Sequence, residues 1–130
     1  MKHPFTMKSP LSTGAKAEKW ARQYLEKQGL KTRHCNYRAP GGEIDLIMMH
    51  GDILVFVEVR LRRHKQYATA AQSIDRRKQR RIIHAANHYL QAQGLWDKVP
   101  CRFDAICLNT DNGIGESYRV EWLRDAFNLS

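Results

Sequence analysis

The sequence predicts an α/β sandwich, a mixed β-sheet flanked by helices. Three observations predict it. Two segments space their apolar residues at helical intervals, and five others carry alternating or continuous apolar residues over strand lengths. Their order is α-β-β-β-α-β-β, a run of strands set between helices. A chain of 130 residues with 42% hydrophobic content is an ordinary single domain. At this size about two-thirds of the unfolded surface becomes buried, so the core needs no staples.

The first helix starts after a Ser12 or Thr13 cap and runs to about Gln28. Ala17, Trp20, Ala21, Tyr24 and Leu25 form its apolar stripe, and Gly29 stops it. "LKTRHCNYR" alternates weakly, as an edge strand does. "EIDLIMM" and "ILVFVEVRL" are two apolar strands around a short turn. "SIDRRKQRRIIHAANHYLQAQ" is the second helix, with Ile74, Ile82, Ala85, Ala86, Tyr89 and Leu90 as its stripe and Gly94 as its stop. "VPCRFDAICL" is a fourth strand, with Val99, Cys101, Phe103, Ala105 and Cys107 on one face. "DNGIGE" is a Gly-rich turn, and "YRVEWL" closes the domain. Residues 1–11 read as a disordered basic tail, and 12–130 as one domain.

Composition excludes several classes. No run approaches the ~20 apolar residues of a membrane span. The start, "MKHPFTMKSPLS", lacks the apolar stretch of a signal peptide. Cys35, Cys101 and Cys107 are odd in number and show no zinc spacing, so they read as reduced, mostly buried thiols of a cytoplasmic protein. None of the six histidines is paired as a metal ligand. Trp20, Trp96 and Trp122 read as packing residues, and Asp104, on a strand face with Arg102, as structural. Charge is the informative quantity. From Arg60 to His84 nine Lys and Arg stand against Asp75, which leaves only +1 of the net +9 for the rest of the chain. So one-sided a field suits a polyanion, and nucleic acid is the expected partner. Arg62, Arg63, Lys65, Arg76, Arg77, Lys78, Arg80 and Arg81 are the candidate phosphate contacts; the plainer reading of the helical arginines is a solvated face.

The apolar hairpin, "GGEIDLIMMHGDILVFVEVRLR", carries Glu43, Asp45, Glu58 and Arg60. Side chains alternate along a strand, so Glu43, Asp45, Ile47 and Met49 share one face, as do Leu54, Phe56, Glu58 and Arg60. A type II′ turn at Gly51-Asp52 pairs His50 with Ile53 and sets Asp45 opposite Glu58. A turn at His50-Gly51 would set Glu43 there instead. Opposed like charges destabilise a sheet, and burial raises the cost. A divalent cation, Mg²⁺ or Mn²⁺ for all-oxygen donors, would offset it. Arg60 alone, or a shared proton, are the other offsets. Glu18, beside the stripe of the first helix, could reach the same place or be a solvated helix residue. A carboxylate-held metal next to a basic segment fits phosphodiester hydrolysis, with Arg60 stabilising phosphate charge.

These residues bear a resemblance. "GGEIDLI" followed by "VFVEVRLR" resembles the D…(D/E)-x-K signature of the PD-(D/E)XK nuclease superfamily, the restriction-endonuclease-like fold. With "GAKAE", "RRKQRRI" and "CRFDAI", the chain from about Thr13 to Phe127 resembles the bacterial YraN-like family. The resemblance implies an αβββαβ core and metal-dependent cleavage of DNA or a DNA junction. It makes Asp45 and Glu58 the metal ligands, matches Glu18 to a helix carboxylate of archaeal Holliday-junction resolvases, and puts Arg60 in the Lys place. Junction cleavage needs two active sites, so a homodimer would fit that subclass. Arg60 departs from the pattern, because a guanidinium stays protonated and cannot serve as a base. Lys65 and Lys78 are nearby cations; Lys78 interrupts the apolar stripe and either points at the site or snorkels. The departure keeps open a second reading, a nucleic-acid-binding module with a vestigial centre, and a third, a protein-interaction domain using its terminal strand.

Overall fold

The structure, a computed structural model, describes residues 12–63, 74–110 and 118–128. The basic tail, the "DNGIGE" turn and Lys65 lie outside them. The elements follow the expected order: α1 (Thr13–Lys27), β1 (Lys31–Ala39), β2 (Gly42–His50), β3 (Ile53–Arg63), α2 (Arg76–Ala92), β4 (Cys101–Thr110) and β5 (Arg119–Phe127). The strands form one mixed sheet in the order β1-β2-β3-β4-β5. Among the described residues β3 and β4 are the pair that runs parallel, and the segment carrying α2 supplies the crossover such a pair needs.

Each helix covers one face of the sheet. Ser12 caps α1 by accepting the Ala15 N–H at 3.1 Å. At its other end Gly29 adopts φ +104° and the Leu30 N–H returns to the Leu25 carbonyl at 3.1 Å. The α1 stripe buries Ala17, Ala21 and Leu25 against Leu46, Met48, Val55, Val57, Ile106 and Leu108. On the opposite face α2 packs Ile82, Ala85, Ala86, Tyr89 and Leu90 against Ile47, Leu54, Phe56, Phe103 and Ala105. Successive residues of β3 thus enter different cores, which is why that strand reads as a continuous apolar run.

The second helix starts later than its periodicity suggests. Asp75 has extended backbone angles and accepts the Lys78 N–H at 2.8 Å, so it is the cap, and Ile74 is buried ahead of the helix. Helix and sheet approach closely at Gly42. A Cβ there would collide with the Arg81 carbonyl oxygen and would lie 3.4 Å from the Ala85 methyl. Gly42 therefore sets how near α2 lies to β2.

Buried Asp104 ties β4 to β5. It accepts from Arg102 Nε at 2.8 Å, Arg102 Nη2 at 3.1 Å, Trp122 Nε1 at 2.9 Å and the Asp125 N–H at 3.0 Å, so its structural reading holds. Two expectations are corrected. Cys35 is exposed on edge strand β1, although Cys107 is buried; all three thiols are free. Trp96 is 49% exposed in the turn after α2, where no core face reaches it. Among the described residues no helix is long and apolar enough to cross a membrane.

Candidate active site

The hairpin turn has the expected form. Gly51 takes φ +63° and His50 pairs with Ile53. Pairing continues to Leu46↔Val57 and stops one step before Asp45 would face Glu58. There Asp45 Oδ2 accepts the Val59 N–H at 2.8 Å, so a carboxylate replaces a ladder carbonyl at a fork between β2 and β3. On the other side of β2, between the Cys35↔Leu46 and Tyr37↔Ile44 pairs, Asn36 has φ +54°, a left-handed conformation that Asn tolerates. Strict alternation slips at this level. Ile44 and Ile47, three residues apart, both pack into the α2 core. The single face expected for Glu43, Asp45, Ile47 and Met49 is broken at Asp45, whose side chain turns into the fork, while Glu43 is exposed.

Glu58 keeps the alternation of Leu54 and Phe56 and is only 5% exposed. Its Oε2 lies 2.9 Å from Lys78 Nζ and 3.7 Å from Arg60 Nη1. Burial and the Asp45 charge outweigh Lys78, and the Glu58 carboxyl is pushed up to about 7. Asp45 is also raised, chiefly by burial, against the lowering effect of the Val59 N–H. Glu18 sits within reach of Asp45. Its carboxyl is raised by partial burial and by Asp45, and a side-chain hydrogen bond from Asn36 lowers it. Glu18, Asp45 and Glu58 thus form a chain of acids from α1 through the fork to α2.

Asp45 and Glu58 line one cavity of about 300 Å³ with Glu43, Asp75, Arg77, Lys78 and Arg81. The sequence candidates therefore separate. Asp45, Glu58, Arg60, Lys78 and Glu18 cluster, and Lys78 points at the site. Arg77 and Arg81 line the cavity, whereas Arg76 and Arg80 line a neighbouring groove. Arg62 goes elsewhere: it is buried and lies 3.8 Å from Glu121 of β5, which corrects its placement among surface phosphate contacts. Arg63 ends β3. Sequence reasoning missed Asn36 and Gly42. The Gly41-Gly42 pair signalled a close approach, but nothing in sequence singled out Asn36.

Among the described residues no group of three His, Cys, Asp or Glu side chains is arranged around a point where a metal ion would sit. The donor set is a pair, Asp45 and Glu58, both carboxylates, with Glu18 beside the first. Two carboxylates with positions left for water match the way Mg²⁺ and Mn²⁺ are bound next to phosphates.

Fold and site define an α/β protein that buries a strand-borne carboxylate pair under a cationic helix. The profile of the "Uncharacterised protein family UPF0102" matches residues 17–108, and the chain belongs to that family. This is the YraN-like family expected from the sequence blocks. A relative from Stutzerimonas stutzeri is 43% identical over 93% of this chain and 98% of its own. One from Pseudomonas putida is 44% identical over 92% and 95%, and one from Pseudomonas aeruginosa 44% identical over 88% and 91%. All three are described as UPF0102 proteins.

Proposed function

We propose that the protein is a divalent-metal-dependent endonuclease of the PD-(D/E)XK kind that hydrolyses phosphodiester bonds in DNA, branched or junction DNA included. The observation that carries this reading is the convergence of Asp45 and Glu58 in one cavity beneath Arg77, Lys78 and Arg81. Mg²⁺ or Mn²⁺ held by the pair, with Glu18 as a further carboxylate, would polarise the phosphoryl oxygen and acidify a bound water. The chain's own residues do the rest. The Val59 N–H fixes Asp45 in the fork. Arg77 and Arg81 attract the phosphate, and Arg60 offers it a permanent charge. Lys78 neutralises Glu58 and delivers an ammonium where the signature lysine would otherwise act; position 60 supplies a guanidinium instead. Because Glu58 holds a proton to about pH 7, a cation must displace that proton, so its binding strengthens as pH rises.

The test is cleavage of single-stranded, duplex and branched DNA with Mn²⁺ and with EDTA. Cleavage is expected with Mn²⁺, absent with EDTA, and lost in both Asp45→Ala and Glu58→Ala while DNA binding persists. The vestigial-module reading is favoured by Arg60; it predicts binding without cleavage under every divalent ion, and activity appearing in Arg60→Lys.

A further inference from the structure

Edge strand β1 departs from strand geometry at one residue. Asn36 has φ +54° in mid-strand. The neighbouring pairs Cys35↔Leu46 and Tyr37↔Ile44 set it across from Asp45, at the level where Asp45 turns into the fork. Left-handed backbone at a non-glycine residue costs free energy and concentrates where a side chain has to be aimed. The Asn36 amide is aimed at α1. On that helix Glu18, Arg22 and Glu26 stand four residues apart and form one row. Strand β1 meets the row twice. Thr32 Oγ1 donates to Glu26 Oε2 at 2.7 Å, and the Asn36 side chain hydrogen-bonds the Glu18 carboxylate. The two acids are held differently. Glu26 also has the Arg22 guanidinium at 3.3 Å, whereas among the described residues Glu18 has no ion pair, and its neighbour on the far side is Asp45. A neutral amide orients a carboxylate and leaves its charge uncancelled; a cation would orient it and cancel it.

We propose that Asn36 is a positioning residue, whose amide holds the Glu18 carboxylate beside Asp45 so that its charge adds to the pull of the Asp45–Glu58 pair on a divalent cation. Glu18 is then a third negative charge near the cation rather than a third ligand, in keeping with the described residues, where no three acids are grouped about one point. Groups that orient the acids around a metal govern its affinity nearly as much as the ligands do. Asn suits the position twice over: it tolerates the left-handed backbone, and it carries the donor. Glycine would satisfy the backbone and lose the donor, which separates the two roles. The proposal rests on the metal-binding half of the function above and not on cleavage.

The experiment is a Mn²⁺ titration of the full chain without nucleic acid, read by electron paramagnetic resonance of the free ion. It compares wild type, Asn36→Gly, Glu18→Ala and the double variant. Asn36→Gly is expected to weaken Mn²⁺ binding about tenfold, the lower end of the range for a group that acts through a neighbouring acid. In the Glu18→Ala background the same change should do nothing further. Wild-type affinity in Asn36→Gly overturns the proposal. So does a loss that persists without Glu18, which would assign Asn36 to the backbone alone. Circular dichroism confirms that each variant is folded. A second measurement needs no change at Asn36: its side-chain amide signals in a metal-free ¹H–¹⁵N spectrum should move in Glu18→Ala, and signals that stay in place also overturn the proposal. The two readings fail separately. Mn²⁺ bound equally by wild type and Asn36→Gly, with cleavage intact, removes only the role of Asn36, and Asn36-dependent binding without cleavage removes only the nuclease. A wild type that takes up no Mn²⁺ removes both.

Discussion

Replacing Gly42 by Ala tests the geometry on which the site depends. Gly42 lies on β2 outside the left-handed region, so Ala adds no backbone strain, and the whole effect is contact. The new methyl would overlap the Arg81 carbonyl oxygen, approach its carbonyl carbon to 3.0 Å and touch the Ala85 methyl at 3.4 Å. The obstacles are helix backbone rather than the flexible end of a side chain, so α2 or β2 must move as a unit. Overpacking of this kind costs about 1–3 kcal/mol. For a chain of this length each kcal/mol lowers Tm by roughly 3–6 °C, so a fall on the order of 5–15 °C is expected. The site should respond too. Lys78 lies one helical turn before Arg81, so a retreating helix draws its ammonium away from Glu58 and the carboxyl rises further. Differential scanning calorimetry reads the first effect, and a carboxyl-carbon NMR titration the second. Gly14→Ala is the control: a Cβ at Gly14 meets nothing within 4 Å, so it should be neutral or stabilising. A Gly42→Ala protein that melts with the wild type would refute the packing of α2 on β2.

Two further outcomes follow from the acids. Glu58 ionises near its ordinary 4.5 when unfolded and at about 7 when folded, so the native state holds the extra proton. Its contribution is fully present below pH 4.5 and is lost as pH rises to about 7; Asp45 is shifted in the same direction. Glu58→Gln should therefore flatten the fall of Tm between pH 4.5 and 7, and an unchanged profile would contradict the assignment. Asp104→Ala strands Arg102, the Trp122 indole N–H and the Asp125 N–H, at a cost of about 3–5 kcal/mol for breaking a buried charge pair. Urea unfolding followed by tryptophan fluorescence measures it, with Asp104→Asn expected to recover part of the loss.

The parts of the fold that were legible in sequence are those governed by local rules. A glycine-first two-residue turn fixes hairpin register, and register brings Asp45 and Glu58 to one level. Stripe periodicity located both helices because each buries one narrow face on one face of the sheet. What was not legible depends on residues far apart in sequence. The direction of Lys78 is set by how closely α2 lies on β2, and so by Gly42 against Arg81. Arg62 alternates with Glu58 and Arg60 yet is covered from β5, where Glu121 meets it. Asn36 turns left-handed inside a strand, and only the β1–β2 pairing shows that this happens beside Asp45.

The sequence offers three ways to offset the two buried like charges, a divalent cation, Arg60 alone or a shared proton; the structure shows several partial offsets, none complete. The Val59 N–H holds Asp45, Lys78 and Arg60 share one oxygen of Glu58, and a proton held to about pH 7 covers the remainder. Had stability alone shaped this fork, an apolar pair at 45 and 58 would cost less than two acids, a lysine reaching 2.9 Å and a bound proton. Burial, more than any missing positive charge, raises the two carboxyls that line this cavity, and that cost is one the proposed divalent cation would relieve.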